Sequence, residues 1–325
     1  MNKQKIIEIG CLLWDKDLAS GLNGNISFRQ DNASILLTGH GTCLGFLEEK
    51  DLVQCSLDGQ VLGNGKISSE NLLHRDIYKN FPEVSAVIHT HTPYTNGYFL
   101  GQSKFTPRIF EAKFVLGDVE CVPQSTPSVT ETAAVIAALM KNNIVVLGNH
   151  GVVAMGKDLF DCFVLIQALE EGIKTEAVAR LFSSHEALPV QKTKEGVSVS
   201  KKYKLFSSEQ IDEIVKIVNA DNQMKELGEK TNMTMDLAVK MQETGQAYCF
   251  SFRKGNIDKI EASENAEFLI TAPESVWRAV FNREIDPFVA TTQKKMHLKG
   301  DFAKISKWYA PCSRVFELWR QVPVE

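Results

Sequence analysis

The chain of 325 residues has a formal net charge of −4 and is 44% hydrophobic and 23% charged, which is ordinary for a globular protein and long enough for two domains. It contains no long basic block and no apolar run of membrane-spanning length, so we expect no nucleic-acid partner, no attraction to an anionic membrane and no membrane span. Seven widely spaced cysteines without a C-x-x-C pair, and an N-terminus without an apolar signal region, predict reduced thiols and a cytoplasmic location.

Apolar periodicity predicts alternating helices and strands in the first two hundred residues. In chain order they are a helix from Ile6 to about Gly21, strands at 26–28 and 35–37, a helix opened by Ser68, strands at 87–91 and 114–116, a helix at 130–141, strands at 144–147 and 152–155, and a helix from Asp158 to Phe182. The polar stretch 184–204 has no apolar period and is predicted to be a loop or linker.

A helix with a capping box follows from Ser207 to Val218, and the chain changes character near Asn219. We therefore place the two domains at residues 1–218 and 219–325. The elements predicted beyond this boundary are a helix from Met235 to Met241, strands at 248–253, 257–260 and 268–270, a helix opened by Pro273, a strand at 296–298 and aromatic helices at 302–319.

Three histidines stand at or near predicted strand ends. His89 and His91 are two residues apart in an apolar run, so on a strand both imidazoles point to the same face. His150 follows the apolar run 144–147. Three histidines with a carboxylate or water make up a catalytic zinc site, whereas three separately hydrogen-bonded histidines would be structural only. His74 is expected to support such a site rather than to bind the metal.

Short polar turns offer a second set of candidates. Gly24-Asn25 and Thr38-Gly39 flank strands, and backbone N–H groups with Asn and Thr side chains can gather there around an anion. Ser68 and Ser69 precede a helix in which Glu70 falls in the first turn, where the helix dipole favours an anion. The alternatives are plain turns and a well-capped helix with a surface glutamate.

Together these segments resemble the class II aldolase/adducin family, and residues 1–218 look fuculose phosphate aldolase-like. The segments that carry the resemblance are Gly24-Asn25-Ile26-Ser27, Thr38-Gly39, Ser68-Ser69-Glu70, His89-Thr90-His91 and Asn149-His150-Gly151. The resemblance implies a three-layer α/β/α fold around an antiparallel-type sheet. It also implies homotetramers in which the active site lies between subunits.

The same resemblance implies a role for each candidate residue. Zn²⁺, or another divalent metal, would be bound by His89, His91, His150 and Glu70, and Glu70 would also act as the acid/base. The substrate phosphate would be held by Gly24, Asn25, Thr38, Gly39, Ser68 and Ser69. The substrate would be a small phosphorylated sugar or hydroxy-ketone, whose carbon–carbon bond is cleaved or formed through a metal-stabilised enediolate.

One position departs from the aldolase pattern. Glu111 stands where the aldolases carry a tyrosine that a neighbouring subunit supplies to the leaving aldehyde. A glutamate at this position resembles the methylthioribulose phosphate dehydratases of the same superfamily. Glu111 is therefore a second candidate acid/base, and dehydratase-like elimination or epimerisation at the same metal site is the alternative to aldol cleavage. A non-catalytic, adducin-like scaffold is a third reading.

The C-terminal part resembles a sterol carrier protein-like α+β domain. The resemblance rests on the segments 267–271, 274–277, 286–287 and 298–301. It implies an apolar ligand bound between the sheet and the helices. The alternatives are that the domain covers the active site or helps assembly.

Overall fold

The structure is a computed structural model that describes residues 2–182, 201–301, 304–305 and 307–325. It divides into two compact units, Met1–Leu188 and Pro189–Glu325. Most of the predicted linker at 184–204 lies outside the described residues. Among the described residues, no helix combines the length and the apolar character that crossing a bilayer requires.

The first unit is built around an eight-stranded sheet with the order β3-β2-β1-β4-β8-β7-β6-β5. Every neighbouring pair is antiparallel except β6 and β7, which are parallel. The elements are α1 (Asn2–Asp15), β1 (Asn25–Arg29), β2 (Ser34–Thr38), β3 (Leu52–Ser56), α2 (Asn71–Asn80), β4 (Ala86–Thr90), α3 (Pro93–Phe99), β5 (Lys104–Phe105), α4 (Phe110–Leu116), β6 (Val119–Val122), α5 (Ala133–Lys141), β7 (Ile144–Leu147), β8 (Gly151–Gly156) and α6 (Leu159–Phe182).

Helices cover both faces of this sheet. Because side chains alternate faces along a strand, Ile88 of β4 lies in one apolar core and Val87 in the other. The core with Ile88 contains residues of α1, α4 and α6, and the core with Val87 contains residues of α2 and α5. The predicted three-layer α/β/α fold is confirmed. His89 is two residues after Val87 on the same strand, so its side chain lies on the face that α2 and α5 cover.

Three predicted elements of the first unit need correction. The predicted strand at 114–116 is the end of helix α4, because Ala112 and Leu116, four residues apart, are both buried on the face toward α6. Helix α1 ends at Asp15 rather than near Gly21, since Asp17 has a positive φ of 56°. Helix α5 begins at Ala133, later than predicted.

The second unit contains a five-stranded sheet with the order β11-β10-β9-β12-β13, in which only β9 and β12 run parallel. Its apolar core includes aromatic rings from both sheet and helices. The elements are α7 (Ser208–Ala220), α8 (Asn222–Lys230), β9 (Thr234–Met241), β10 (Ala247–Arg253), β11 (Asn256–Glu261), β12 (Phe268–Ala272), α9 (Glu274–Phe281), α10 (Pro287–Thr292), β13 (His297–Lys299) and α11 (Tyr309–Trp319).

One predicted element of this part of the chain is corrected. The segment Met235–Met241 is strand rather than helix, and every second residue from Met235 to Met241 is buried, as on a half-buried strand. Helix α7 buries Ile211, Ile214 and Val218 in the core of the second unit. Helix α7 thus belongs to the second compact unit, Pro189–Glu325, whereas the prediction ends the first domain at residue 218.

Candidate metal centre

The sheet brings the three histidines to one place. Strand β4 ends with His89 and Thr90, and it pairs antiparallel with β8, where His89 lies opposite Val153. The turn between β7 and β8 contains His150, so this turn lies at the end of the sheet where the chain leaves β4 toward His91. His89 at the end of β4, His91 just after it and His150 in the turn before β8 thus meet at one end of the sheet.

The three rings form a compact triangle. Each pair of ring centroids is 4.8 Å apart, and the Nε2 atoms of His89 and His91 are 3.0 Å apart. One nitrogen from each of the three rings lies within 4.8 Å of the other two. These separations are close enough for all three imidazoles to share one cation.

The unused hydrogen-bonding capacity of these rings fits a metal. The Nδ1–H of His89 donates to the carbonyl oxygen of Val152 at 3.0 Å, which leaves Nε2 with its lone pair toward the other rings. The Nδ1 atom of His150 is buried and has no hydrogen-bond partner among the described residues. A buried polar nitrogen without a partner is costly, and a divalent cation among three imidazoles would satisfy it.

The electrostatics of the cluster favour neutral imidazoles. Burial holds the pKa of His89 well below its usual range, and the other imidazoles lower it further. Burial and the neighbouring His150 lower the pKa of His91 to about 4. Burial also lowers the pKa of His150, and the charge of Glu70 opposes that shift. Neutral imidazole is the form that binds metals.

Two glycines permit the close approach of these segments. A Cβ atom on Gly151 would lie 2.4 Å from the carbonyl oxygen of Thr90 and 3.0 Å from ring atoms of His89 and His91. Gly24 has a φ of 93°, and a Cβ atom there would lie 2.9 Å from the carbonyl oxygen of His89. A side chain at either position would therefore displace the histidine strand.

Glu70 lies at the N-cap of α2 and is buried. One of its carboxylate oxygens, Oε2, accepts the backbone N–H of Val129 at 3.2 Å. Glu70 is not part of the compact group of possible metal ligands, which contains only the three histidines. Its charge nevertheless raises the pKa of His150 against the effect of burial, so the carboxylate is close enough to act on the cluster.

The predicted phosphate-binding segments also converge. Asn25 of β1 lies directly opposite His89 of β4, and Gly39 forms an isolated bridge with Ile67, the residue before Ser68. The turn after β2 and the segment before α2 are thereby placed beside the histidine cluster.

The donors in these segments differ from those expected. The N–H of Gly39 donates to the carbonyl oxygen of Asp51 at 2.7 Å, so it is not available to an anion. The hydroxyl oxygens of Thr38 and Ser68 accept the backbone N–H groups of Ile26 and Glu70 at 3.1 and 3.2 Å. Their own O–H groups have no acceptor among the residues that the structure describes, so they remain as donors. Ser69 is exposed.

The structure places Ser68 and Glu111 differently from what the sequence suggested. Ser68 is not the N-cap of α2, because the helix begins at Asn71 and Ser68 forms a turn with Glu70 ahead of it. Glu111 lies in the first turn of α4, is exposed, and is not in the histidine group. The described chain therefore does not bring Glu111 together with the other candidates.

A buried hydrogen-bonded chain lies behind Asn25. The Nε2 atom of His74 contacts Asn25 Oδ1 at 2.5 Å, and its Nδ1 atom lies 2.6 Å from the Ser27 hydroxyl oxygen. That hydroxyl oxygen is 2.9 Å from the Tyr78 hydroxyl oxygen. Burial lowers the pKa of His74 to about 3. Sequence reasoning gave no role to Tyr78 and used Ser27 only as part of the motif at 24–27, although Ser27 shares the strand parity of Asn25 and Tyr78 lies one helical turn after His74.

Comparison with known proteins agrees with this architecture. The model of the class II aldolase and adducin N-terminal domain matches residues 4–177, more than half of the chain, and that of the SCP-2 sterol transfer family matches residues 212–311. An L-fuculose phosphate aldolase of Methanococcus maripaludis is 33% identical over 171 residues, which are 53% of this chain and 93% of the relative.

A 3-oxo-tetronate 4-phosphate decarboxylase of Escherichia coli is 29% identical over 181 residues, which are 53% of this chain and 84% of the relative. The crystal structure of L-fuculose-1-phosphate aldolase from Thermus thermophilus superimposes with a TM-score of 0.52 at 26% identity, covering 57% of this chain and 97% of that one. The chain therefore belongs to the class II aldolase and adducin family, and its C-terminal part is similar to the SCP-2 sterol transfer family.

Proposed function

We propose that the first unit is a metal-dependent lyase of the class II aldolase type, which cleaves or forms a carbon–carbon bond in a short sugar phosphate. The observation that carries this proposal is the triangle of imidazoles, with ligand nitrogens within 4.8 Å of one another, directly beside Asn25, the residue opposite His89 in the sheet. A non-catalytic scaffold would have no need for this donor set.

His89, His91 and His150 would hold the cation, with Glu70 as a further ligand before substrate binds. Zinc suits three imidazoles and one carboxylate. When bound, such a cation supplies Lewis-acid stabilisation for negative charge that develops on the substrate. The hydrogen bond from His89 to Val152 O, 3.0 Å long, would keep this ring in the tautomer and orientation that a ligand needs.

The phosphate would bind to neutral donors. Asn25, Thr38, Ser68 and Ser69 supply amide and hydroxyl groups, and no Lys or Arg falls within these segments. Gly24 and Gly39 would contribute backbone that approaches the ligand closely. Holding the phosphate fixes the reacting carbons relative to the histidine cluster, which lowers the entropic cost of reaching the transition state.

Glu70 would move the proton. Its buried carboxylate at the start of α2 can accept a proton from the substrate and return it. Glu111 is exposed on α4, so we propose that it acts on the active site of another subunit in a homotetramer. Exposed apolar side chains on the first unit, suited to such an assembly, are Tyr94, Leu100, Phe110, Leu181 and Phe182.

Decarboxylation is the second candidate reaction. The E. coli relative with 29% identity is a 3-oxo-tetronate 4-phosphate decarboxylase, and loss of carbon dioxide beside a ketone breaks a carbon–carbon bond with the same development of charge. Dehydration or epimerisation at the same site would follow instead if Glu111 supplied the decisive proton.

For the second unit we propose an apolar ligand, because residues 212–311 match the SCP-2 sterol transfer family. Such a ligand would lie among the rings of its core, of which Phe250, Trp277 and Trp319 are fully buried. Quenching of tryptophan fluorescence by a long-chain acyl probe would test this proposal, and an unchanged spectrum at saturating probe would contradict it.

The lyase proposal is tested by metal analysis and product analysis. The purified protein should contain close to one equivalent of a divalent metal, and His91→Ala should lose it, whereas His297→Ala, at an exposed histidine of the second unit, should retain it. With L-fuculose 1-phosphate the expected products are an aldehyde and dihydroxyacetone phosphate. Carbon dioxide from a 3-oxo acid phosphate would support the second candidate, and a dehydrated keto-phosphate would support elimination.

The role of Glu70 is tested separately. Glu70→Gln should keep the metal through the three histidines but lose most turnover, because an amide cannot accept the proton. Full activity of this variant would remove Glu70 from the mechanism. A metal-free wild-type protein, with no gain in thermal stability on adding zinc, would overturn the lyase proposal as a whole.

A further inference from the structure

The hydrogen-bonded chain behind Asn25 can run in two directions. In one direction Tyr78 donates to Ser27, Ser27 donates to Nδ1 of His74, and Nε2–H of His74 donates to Asn25 Oδ1. In the other direction every proton is reversed, and the Asn25 side chain is turned over. The two directions differ in which amide atom Asn25 presents on its other side, so they differ in what that side can bind.

The distances favour the first direction. The oxygens of Tyr78 and Ser27 are 2.9 Å apart, a normal hydrogen bond. In the reversed chain the Tyr78 hydroxyl would have to donate to the carbonyl oxygen of Ser85, which is 3.5 Å away and beyond the usual range for an O–H donor. The contact between Ser27 and His74 Nδ1, at 2.6 Å, is compatible with either direction.

The hydrogen-bond partners of Asn25 also favour the first direction. Oδ1 is the atom that faces His74 Nε2, and within the part of the chain that the structure describes, no group pairs with Asn25 Nδ2. Thr38, whose hydroxyl oxygen accepts the N–H of Ile26 at 3.1 Å, lies next to Asn25 at the same end of the β1–β2 pair. An amide NH₂ there attracts an oxyanion, whereas an amide oxygen would repel it.

We propose that His74 is a positioning residue for phosphate recognition: its Nε2–H holds Asn25 Oδ1, and thereby turns the Asn25 amide nitrogen toward the phosphate. This inference rests on the proposed phosphate site. It adds that the selectivity of the site for an oxyanion depends on a buried chain of neutral groups that never touches the substrate.

The first test needs no variant. The ¹⁵N shifts of the His74 ring in the full-length wild-type protein should identify a neutral imidazole protonated on Nε2. A ring protonated on Nδ1 would overturn the proposal, whatever the affinity for phosphate.

The second test is a double-mutant cycle with inorganic phosphate as the probe. His74→Phe should weaken phosphate binding about tenfold, equivalent to about 1.4 kcal/mol, in the chain that has Asn25. In an Asn25→Ala background the same change should weaken it less than about twofold. An equal loss in both backgrounds would mean that His74 acts only on the general structure, and it would overturn the proposal.

Two further variants guard against a folding defect. His74→Gln keeps an N–H donor near the position of Nε2 and should bind phosphate within about threefold of wild type; a loss as large as that of His74→Phe would contradict the proposal. Asp76→Asn alters another hydrogen bond of α2, the 2.7 Å contact with the Thr132 hydroxyl, and should leave phosphate affinity and metal content unchanged.

The proposed function and this inference fail in distinguishable ways. A wild-type protein that has no affinity for inorganic phosphate would overturn the phosphate site itself, and the inference with it. A wild-type protein that binds phosphate through Asn25, but equally well after His74→Phe, would overturn only the role of His74.

Discussion

Glu170 of α6 holds Thr95 of α3 by two hydrogen bonds: its Oε2 atom accepts both the backbone N–H and the hydroxyl of Thr95, each at 2.8 Å. Its other oxygen accepts the N–H of Tyr94 at 3.0 Å. Glu170 is fully buried, and it meets the first turn of α3, where free N–H groups favour a carboxylate. That turn begins two residues after His91, so Glu170 anchors the segment that leaves the histidine cluster.

We expect Glu170→Ala to lower the free energy of unfolding by about 3 kcal/mol, because three donors lose a charged acceptor. It should also weaken metal binding, since His91 loses the anchor that follows it. Chemical denaturation and a zinc competition assay would measure the two effects. Glu171→Ala, at an exposed neighbour, should change stability by less than about 0.5 kcal/mol; equal effects of the two variants would contradict the anchoring role.

Gly151→Ala should disrupt the cluster from the backbone side. The added Cβ would lie 2.4 Å from Thr90 O, so β4 or β8 must shift, at a cost of about 1–3 kcal/mol. We expect lost metal and a lower melting temperature. Gly97→Ala in α3, where a Cβ would meet nothing within 4 Å, should be neutral or slightly stabilising. Full metal content in Gly151→Ala would show that this contact is not required.

His74 should make the stability depend on pH. Its pKa is lowered to about 3 in the folded protein and returns to about 6.5 on unfolding. Between these values the unfolded chain binds the extra proton, so stability is fully present above about pH 6.5 and is lost as the pH falls.

His74→Gln removes this contribution. Between about pH 6 and pH 4 the variant should lose about 1.4 kcal/mol less than wild type for each unit of acidification. Urea denaturation at several pH values would measure the difference. Parallel pH profiles of the two proteins would contradict the buried neutral state of His74.

Trp319 tests the second unit independently. Its ring is buried against Phe250, Phe281 and Phe316, so Trp319→Ala should cost about 3–5 kcal/mol in that unit. Its Nε1 atom has no partner among the described residues, so Trp319→Phe loses no hydrogen bond and should cost clearly less. Neither change should alter metal content, because the histidine cluster lies in another unit with its own cores. Metal loss in Trp319→Phe would contradict this independence.

The parts of the site that depend on local pattern could be predicted from the sequence. The spacing of His89 and His91 placed both rings on one face, and the strand before His150 placed the third ring at a strand end. The family resemblance predicted the fold and the role of the segments around Asn25 and Ser68. These features depend on strand parity and on motifs a few residues long.

The features that were missed depend on pairing between distant segments. Ser27 meets His74 only after α2 covers the sheet, and the partner of Glu170 is 75 residues away. The N–H of Gly39 is taken by Asp51, which no local pattern indicates. The apolar run Phe114–Leu116 predicts a strand, but the segment is helical and packs against α6.

The register between Asn25 and His89 has a consequence for the size of the ligand. Residues that face each other across an antiparallel pair have Cβ atoms held roughly 5 Å apart by the hydrogen bonds of the ladder. The backbone therefore fixes the length of a molecule that can contact both side chains. Loop substitutions could change which end groups are accepted, but only a slip of β1 against β4 would change the length that fits.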